Sequence, residues 1–272
     1  MLNLKYYFYS ILLLSSFTIL SCHKHDDDDL SGTGTLEIEF DHKANGQTFA
    51  FGQDYVNESG ETMQFTEFNY YVSNFSLVKS DGSVYTVPKD ECYFLIREKA
   101  DGVNTKISLS NIPAGDYKEF KFTIGVDSLK STSPAEQRTG ALDPAGEAAG
   151  MYWAWNSGYI FVRVEGTSPA APLDPGTNSN KFRYHIGLFG GMNSPTLNNI
   201  RTVSLKDKHD DVAEIRKDHH AAHLHVFVDI MDMFKSPNAI SVATNPTVHA
   251  SPFSANLANN YMDMFVLDHI HN

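Results

Sequence analysis

The stretch GMYWAWNSGYIFVRVEG, residues 150–166, holds both tryptophans of the 272-residue chain and one of its most strand-prone runs. Trp153 and Trp155 are two residues apart, so on a β-strand both indoles would point to the same face of a sheet. Residues 156–158 (Asn-Ser-Gly) interrupt the pattern, as a bulge or a tight bend does. Residues 159–164 then combine aromatic and β-branched side chains, which favours a strand. The segment therefore predicts an all-β core, with the indoles either filling that core or forming part of a site.

Alternating apolar and polar residues recur along the chain. In residues 33–42, Leu36, Ile38 and Phe40 share one face, whereas acidic residues occupy the other. Several runs of this kind follow at short intervals, with turn signals such as Asp81-Gly82 between them. The pattern predicts a single-domain β-sandwich, of immunoglobulin-like or related Greek-key type, with long loops. The longest loop is expected at residues 127–150, over one end of a sheet and next to the tryptophan pair.

The composition limits the class of function. The formal net charge is −12, which argues against a nucleic-acid-binding protein because such proteins carry a basic face. Hydrophobic residues make up 42% of the chain, as expected for a globular domain. We therefore expect one domain over residues 34–272.

The first 33 residues have a different character. Residues 1–22 form an apolar stretch that is short for a membrane span and ends in Leu20-Ser21-Cys22, a sequence that resembles a bacterial lipobox. We expect cleavage before Cys22 and lipidation of that residue. Residues 23–33 include an Asp run and predict a flexible acidic tether. The protein is therefore expected to be an outer-membrane lipoprotein, exposed at the cell surface or else facing the periplasm, that meets the membrane only through its lipid.

Histidines are concentrated in the second half of the chain, on segments that are predicted to be strands. Metal sites of the imidazole type draw several histidines from different elements. His223 and His225 have the i, i+2 spacing that lets both side chains point to one ion, and His269 and His271 repeat it. The metal-ligand candidates are His185, His225, His42 and His223. The alternative interpretation is that these histidines are polar residues on an exposed face.

No hydrolase motif accompanies them. The chain lacks a GxSxG sequence, and no cysteine lies in a recognisable catalytic motif. We therefore expect no catalytic residues and no enzymatic turnover.

The segments FNYYVSNFSL, GMYWAWNSGYIFVRVEG, FRYHIG and MDMFVLDHIHN together resemble the MbnP-like copper-binding family of bacterial exported proteins. The resemblance spans about residues 34–272. It implies a β-sandwich that binds copper, with zinc as the alternative ion. In this family a tryptophan is oxidised to kynurenine by a partner dihaem enzyme of the cytochrome c peroxidase type, and the new amine joins histidine nitrogens at the metal.

Carried over to this chain, the resemblance assigns the modification to Trp155 or Trp153 and a ligand role to His185. His225, His42 and His223 are added from strand position alone. The implied partners are the dihaem enzyme and an outer-membrane transporter, and the implied role is metal acquisition or handling. Two alternatives stay open at this point: an adhesion or ligand-binding β-sandwich without metal, and a copper-dependent oxidase.

Overall fold

A computed structural model describes residues 30–98 and 105–272, and strands dominate these residues. The predicted signal peptide, the lipidated Cys22 and most of the tether lie outside the described residues. Among the described residues, no helix combines the length and the apolar character that a bilayer span requires.

The strands of the described residues are β1 Thr33–Ala44, β2 Gln47–Thr48, β3 Tyr55–Val56, β4 Thr62–Lys79, β5 Val84–Thr86, β6 Tyr93–Glu98, β7 Lys106–Pro113, β8 Gly115–Ile124, β9 Tyr152–Trp153, β10 Gly158–Thr167, β11 Lys181–Gly187, β12 Arg201–Leu205, β13 Ala213–Ile215, β14 Ala222–Asp229, β15 Thr247–Val248 and β16 Phe265–His271. The α-helices are α1 Ser128–Ser131 and α2 Ser254–Asn260. Short 3-10 helices cover Lys89–Glu91, Ala135–Gln137, Gly140–Leu142, Ile230–Phe234 and Tyr261–Met264.

The strands form two sheets. The smaller sheet has the order β16-β14-β1-β2, with β7 also paired to β1. The larger sheet has the order β12-β8-β4-β10-β11-β15. Five further strands pair with strands of the larger sheet: β13 pairs with β8, β9 pairs with β10, and β3, β5 and β6 pair with β4.

Aromatic side chains from both sheets form the core between them. Phe40 of the smaller sheet meets Tyr70 and Phe122 of the larger sheet edge to face, at centroid distances of 6.1 and 6.0 Å. Phe265 meets Phe122 in the same way at 5.2 Å. All four rings are buried. Edge-to-face contacts at these distances add to the stabilisation that burial provides. The predicted all-β sandwich is therefore confirmed.

The smaller sheet contains a pairing that local sequence patterns do not predict. Strands β1 and β14 run parallel, with Glu39 opposite His225. The many charged residues between positions 209 and 220 predict a solvated hairpin tip or loop. That expectation was wrong for β13, which lies within this range and pairs with β8. The buried Ala213 and Ile215 alternate there with an exposed Glu214, but three residues among so many charges are too short a pattern to recognise.

The loop after β8, which the sequence predicts next to the tryptophan pair, covers part of the outer face of the larger sheet. The hydroxyl of Tyr71 donates to the carbonyl of Ala141 at 2.7 Å, and that of Tyr159 donates to the carbonyl of Leu142 at 2.6 Å. Leu142, both tyrosines and Met151 are buried in a second apolar cluster. This cluster fixes the chain immediately before the tryptophan hairpin.

Glu61 ties the segment that leads to β15 to the start of β4. Its carboxylate accepts hydrogen bonds from the Ser241 hydroxyl at 2.7 Å, from the Asn57 amide at 2.7 Å, and from the backbone amides of Val242 and Ala243 at 2.8 and 3.0 Å. Burial raises the pKa of Glu61, but these hydrogen bonds outweigh burial and hold the pKa below its ordinary value. The ionised form therefore stabilises the fold.

Glu61→Gln should lower the free energy of unfolding by about 1–3 kcal/mol at pH 7, because an amide nitrogen would face donors that the carboxylate satisfies. The pKa of Glu61 is lower in the folded state than in the unfolded state, where it is near 4.5. Its carboxylate therefore stabilises the fold above pH 4.5, and this contribution is lost as the pH falls through the pKa of the folded state. Urea unfolding at pH 7 and below pH 4.5 measures both effects. The difference in the free energy of unfolding between wild type and variant should be smaller below pH 4.5 than at pH 7.

Glu58→Gln is the matched control, since it removes the same charge at an exposed position. It should change the unfolding free energy by no more than about 0.5 kcal/mol. Equal destabilisation by the two variants would contradict the role assigned to Glu61.

Candidate metal centre

The two tryptophans lie on a short hairpin. Strand β9 pairs antiparallel with the start of β10, with Trp153 opposite Gly158. Residues 154–157 form the turn, so Trp155 lies in the turn and not on a strand. Gly158 has φ 68°, a left-handed conformation that glycine adopts without a Cβ clash. The turn is held from outside, because the Asn156 side chain accepts a hydrogen bond from the Met192 amide at 3.0 Å.

The indoles stack on each other at the surface. Their ring centroids are 5.1 Å apart and the planes are inclined by 30°. Trp155 is 50% exposed, whereas Trp153 is partly buried. The pair therefore does not fill the sandwich core. A large exposed indole that is held by stacking is consistent with a site.

Strand pairing brings two histidines together beside this stack. Strand β15 runs parallel to β11, with Val248 opposite Tyr184, so the next residues along both strands are His249 and His185. Their imidazole rings stack with centroids 4.6 Å apart and an angle of 13°. The His249 ring is also 6.4 Å from the Trp153 ring. His185, His249, Trp153 and Trp155 thus form one continuous row of rings, called here the His–Trp row.

His249 was not predicted as a site residue. It follows a two-residue strand in a stretch without apolar periodicity, and its partner strand is far away in sequence. The only local signal is the β-branched pair Thr247-Val248 after Pro246, which is too short to indicate a strand. Pairing to β11, and not local sequence, gives His249 its position.

A carboxylate orients His185 within the row. The Glu165 Oε1 atom lies 2.8 Å from His185 Nε2 and 2.7 Å from Arg163 Nη2. Arg163 Nη1 also donates to the carbonyl of Gly150 at 2.8 Å, at the base of the tryptophan hairpin. The hydrogen bond from His185, followed by the contacts with Arg163, lowers the pKa of Glu165 to about 2. Glu165 is therefore a carboxylate at neutral pH.

This arrangement leaves ligand atoms available. When Nε2 of His185 donates its proton to Glu165, Nδ1 carries the lone pair that a metal ion requires. Although His249 is largely open to solvent, desolvation of its ring, followed by the neighbouring His185 and Arg183, lowers its pKa, which favours the neutral ring. Two imidazoles side by side form a pair of nitrogen ligands of the type that copper and zinc bind.

His42 lies elsewhere in the molecule. Its side chain points into the core, where Nδ1 is 2.6 Å from Glu98 Oε2 and Nε2 is 3.0 Å from the Tyr70 hydroxyl. His185 alternates with the buried Tyr184 and Ile186, so it points to the opposite side of the larger sheet. His42 is a ligand candidate from strand position alone, and this placement keeps its ring apart from His185.

His223 and His225 are likewise separate from the His–Trp row. Both project from the outer face of the smaller sheet, where they alternate with buried residues of β14. His225 contacts Asp268 and the ring of His269, and His223 lies 3.4 Å from Glu39. Their i, i+2 spacing does place both rings on one face, as predicted, but that face belongs to the other sheet.

Fold and site together define a single-domain β-sandwich with a row of stacked imidazoles and indoles on its outer surface. The sequence model of the MbnP family matches residues 33–250. The chain therefore belongs to the MbnP family, which confirms the resemblance seen in the sequence. The solved structure of MbnP from Methylosinus trichosporium matches with a TM-score of 0.54 at 22% identity, covering 76% of this chain and 79% of that one. At that identity the match establishes the fold alone. No curated protein matches the chain.

Gly187→Ala should disturb the His–Trp row. A Cβ at this position would lie 2.5 Å from the Tyr159 carbonyl oxygen and 3.0 Å from Cζ3 of Trp153. Relief of these contacts requires movement of the Trp153 ring and of the β10–β11 pair. We expect a loss of about 1–3 kcal/mol in unfolding free energy and an altered near-UV circular dichroism band from the stacked indoles.

Gly52→Ala is the control. It places a Cβ in open space at φ 76°, so it adds about 1 kcal/mol of backbone strain without touching an indole. The near-UV band should stay unchanged in this variant. An unchanged band in Gly187→Ala would contradict the packing described here.

Proposed function

We propose that the protein binds a copper ion through His185 and His249, beside Trp153, and serves copper acquisition or handling. The observation that carries the proposal is the 4.6 Å stack of the two imidazoles next to the paired indoles. Membership of the MbnP family supports it, because the resemblance implies copper binding. Zinc is the alternative ion.

The donor set is suited to copper. Imidazole nitrogen binds copper and zinc, and copper stands at the top of the affinity order of the divalent ions. The carboxylate of Glu165 accepts a hydrogen bond from Nε2 of His185 and thereby fixes the orientation of the ring of this ligand. Arg163 neutralises that carboxylate and ties it to Gly150, so the ligand strand and the tryptophan hairpin keep a common geometry.

Trp153 is the proposed modified residue, in preference to Trp155. An intact indole offers a metal ion no lone pair, because its nitrogen is a donor. Oxidation to kynurenine opens the five-membered ring, removes one carbon and leaves an aniline amine with a lone pair. The Trp153 ring is the one in contact with His249, at 6.4 Å, whereas Trp155 stacks on the far side of Trp153.

The cellular setting is part of the same proposal. The lipobox-like sequence at Cys22 supports an outer-membrane lipoprotein, and the acidic tether supports display at the cell surface. The partners that the family resemblance implies are a dihaem enzyme of the cytochrome c peroxidase type, which modifies the tryptophan, and an outer-membrane transporter. In this proposal the protein is a substrate of that enzyme and not an enzyme itself.

Two substitutions test the centre in protein purified with its native modification. His249→Gln and His185→Gln each remove an imidazole, and Gln at 185 keeps a donor for Glu165. Replacing even an outer partner of a metal ligand lowers metal affinity about 10- to 100-fold, so each variant should bind copper at least about 100-fold more weakly. Competition with a chromophoric chelator measures the affinity, and quenching of Trp155 fluorescence shows that the ion lies beside the indoles.

His219→Gln provides the control, since it removes an exposed loop histidine. Its copper affinity and fluorescence quenching should equal those of the wild type. Unchanged quenching of indole fluorescence by copper in His249→Gln and His185→Gln would contradict the proposed centre, and the absence of such quenching in the wild type would favour the adhesion interpretation. Turnover of an oxidisable substrate would favour the oxidase.

Mass spectrometry tests the modification. In protein from the native host, the peptide that contains both tryptophans should gain about 4 Da, which is the net effect of losing one carbon and gaining one oxygen. Fragmentation should place the gain on Trp153. Protein produced without the partner enzyme should carry two intact indoles. Intact tryptophan in the native protein would rule the modification out.

A further inference from the structure

Four histidines lie together on the outer face of the smaller sheet, away from the His–Trp row. Strands β14 and β16 pair antiparallel, with His223 opposite His271 and His225 opposite His269. Asp268 lies beside the second pair. These five residues are called here the β14–β16 histidine cluster.

A β-bulge builds this cluster. His225 pairs with His269, but the next residue, Val226, pairs with Leu267, so Asp268 is an extra residue in β16. On a regular strand, neighbouring residues point to opposite faces. Leu267 is buried and Ile270 packs against the core, whereas Asp268 and His269 both project outward. Bulges redirect side chains in this way, and the extra residue here places a carboxylate and an imidazole on the side of His225.

The distances within the cluster match those between metal ligands. Asp268 Oδ2 lies 2.7 Å from His269 Nδ1 and 3.1 Å from His225 Nδ1. One ligand atom from each of these residues lies within 4.8 Å of those of the other two. Ligands bound at 2.0–2.1 Å in a tetrahedron are separated by about 3.3 Å, so an ion fits here after small side-chain shifts.

The outer partners of the cluster are also in place. Nε2 of His225 lies 3.4 Å from Asp41 Oδ2. When Nε2 donates its proton to Asp41, Nδ1, which lies 3.1 Å from Asp268 Oδ2, carries the lone pair that an ion requires. The ring of His271 meets that of His269 edge to face at 4.5 Å and is exposed to solvent, so it lies beside the three ligand candidates without belonging to them.

We propose that the β14–β16 histidine cluster is a second metal site, which binds a divalent transition-metal ion of the zinc or copper(II) type through His225, His269 and Asp268. Mixed imidazole and carboxylate ligands suit these ions, whereas magnesium and calcium prefer oxygen alone. The site is independent of the His–Trp row, because its ligands come from the other sheet. It therefore binds metal whether or not a tryptophan has been modified.

The test uses Zn²⁺ and the full chain without an added histidine tag, in the His185→Gln/His249→Gln background. Chelator competition should show one Zn²⁺ bound. Asp268→Asn, which keeps the size of the side chain, should weaken binding at least about 10-fold, and His225→Gln/His269→Gln at least about 100-fold. X-ray absorption of the Zn²⁺ complex should show imidazole nitrogen and carboxylate oxygen ligands.

The matched control is His219→Gln/His220→Gln, which removes two exposed histidines from the loop before β14. It should leave the affinity for Zn²⁺ unchanged. Undiminished binding by Asp268→Asn and His225→Gln/His269→Gln would overturn the proposal, as would an equal loss in the control. The His185→Gln/His249→Gln background removes the ligands of the His–Trp row, so Zn²⁺ binding in it reports the β14–β16 histidine cluster, and failure of one site is distinguishable from failure of the other.

Discussion

Strand β10 controls both the core and the proposed copper centre, because successive residues of a strand point to opposite faces of the sheet. Val162 and Val164 are fully buried between the sheets. Arg163 and Glu165, which alternate with them, face outward, where Glu165 meets His185 of the neighbouring strand. A shift of one residue in register would bury these charges and expose the valines, so the core fixes the position of the site.

Both histidine clusters use the same physical device. In each of them a carboxylate lies against imidazole nitrogens, and strand pairing supplies the second imidazole from a distant part of the chain. At the His–Trp row the carboxylate of Glu165 contacts Nε2 of His185, so Nδ1 of that ring is left for an ion. At the β14–β16 cluster Asp268 lies between two rings and is itself a ligand candidate. The ion pair of Arg163 and Glu165 orients the first cluster, and the β-bulge at Asp268 brings the side chains of the second cluster together.

The sequence predicted the strands whose alternation is long and clean, such as β1, β11 and β14, and it predicted the loop that covers the larger sheet. It named His185 and the tryptophan pair as candidates, and the structure places them in one row, but it did not name His249. Local periodicity carries no information about which distant strand becomes a neighbour, and β15 is only two residues long. The same limit applies to His42, because strand position alone did not show that its ring meets Glu98 and Tyr70 in the core.

The central claim is that one ion is bound by a nitrogen of His185 and a nitrogen of His249. A crystal of protein purified from its native host, measured on both sides of the copper absorption edge, tests it directly. The account predicts an anomalous difference peak within bonding distance of a nitrogen of each imidazole and next to the side chain at position 153. A map without density there, from protein that carries the modified side chain, would contradict the account.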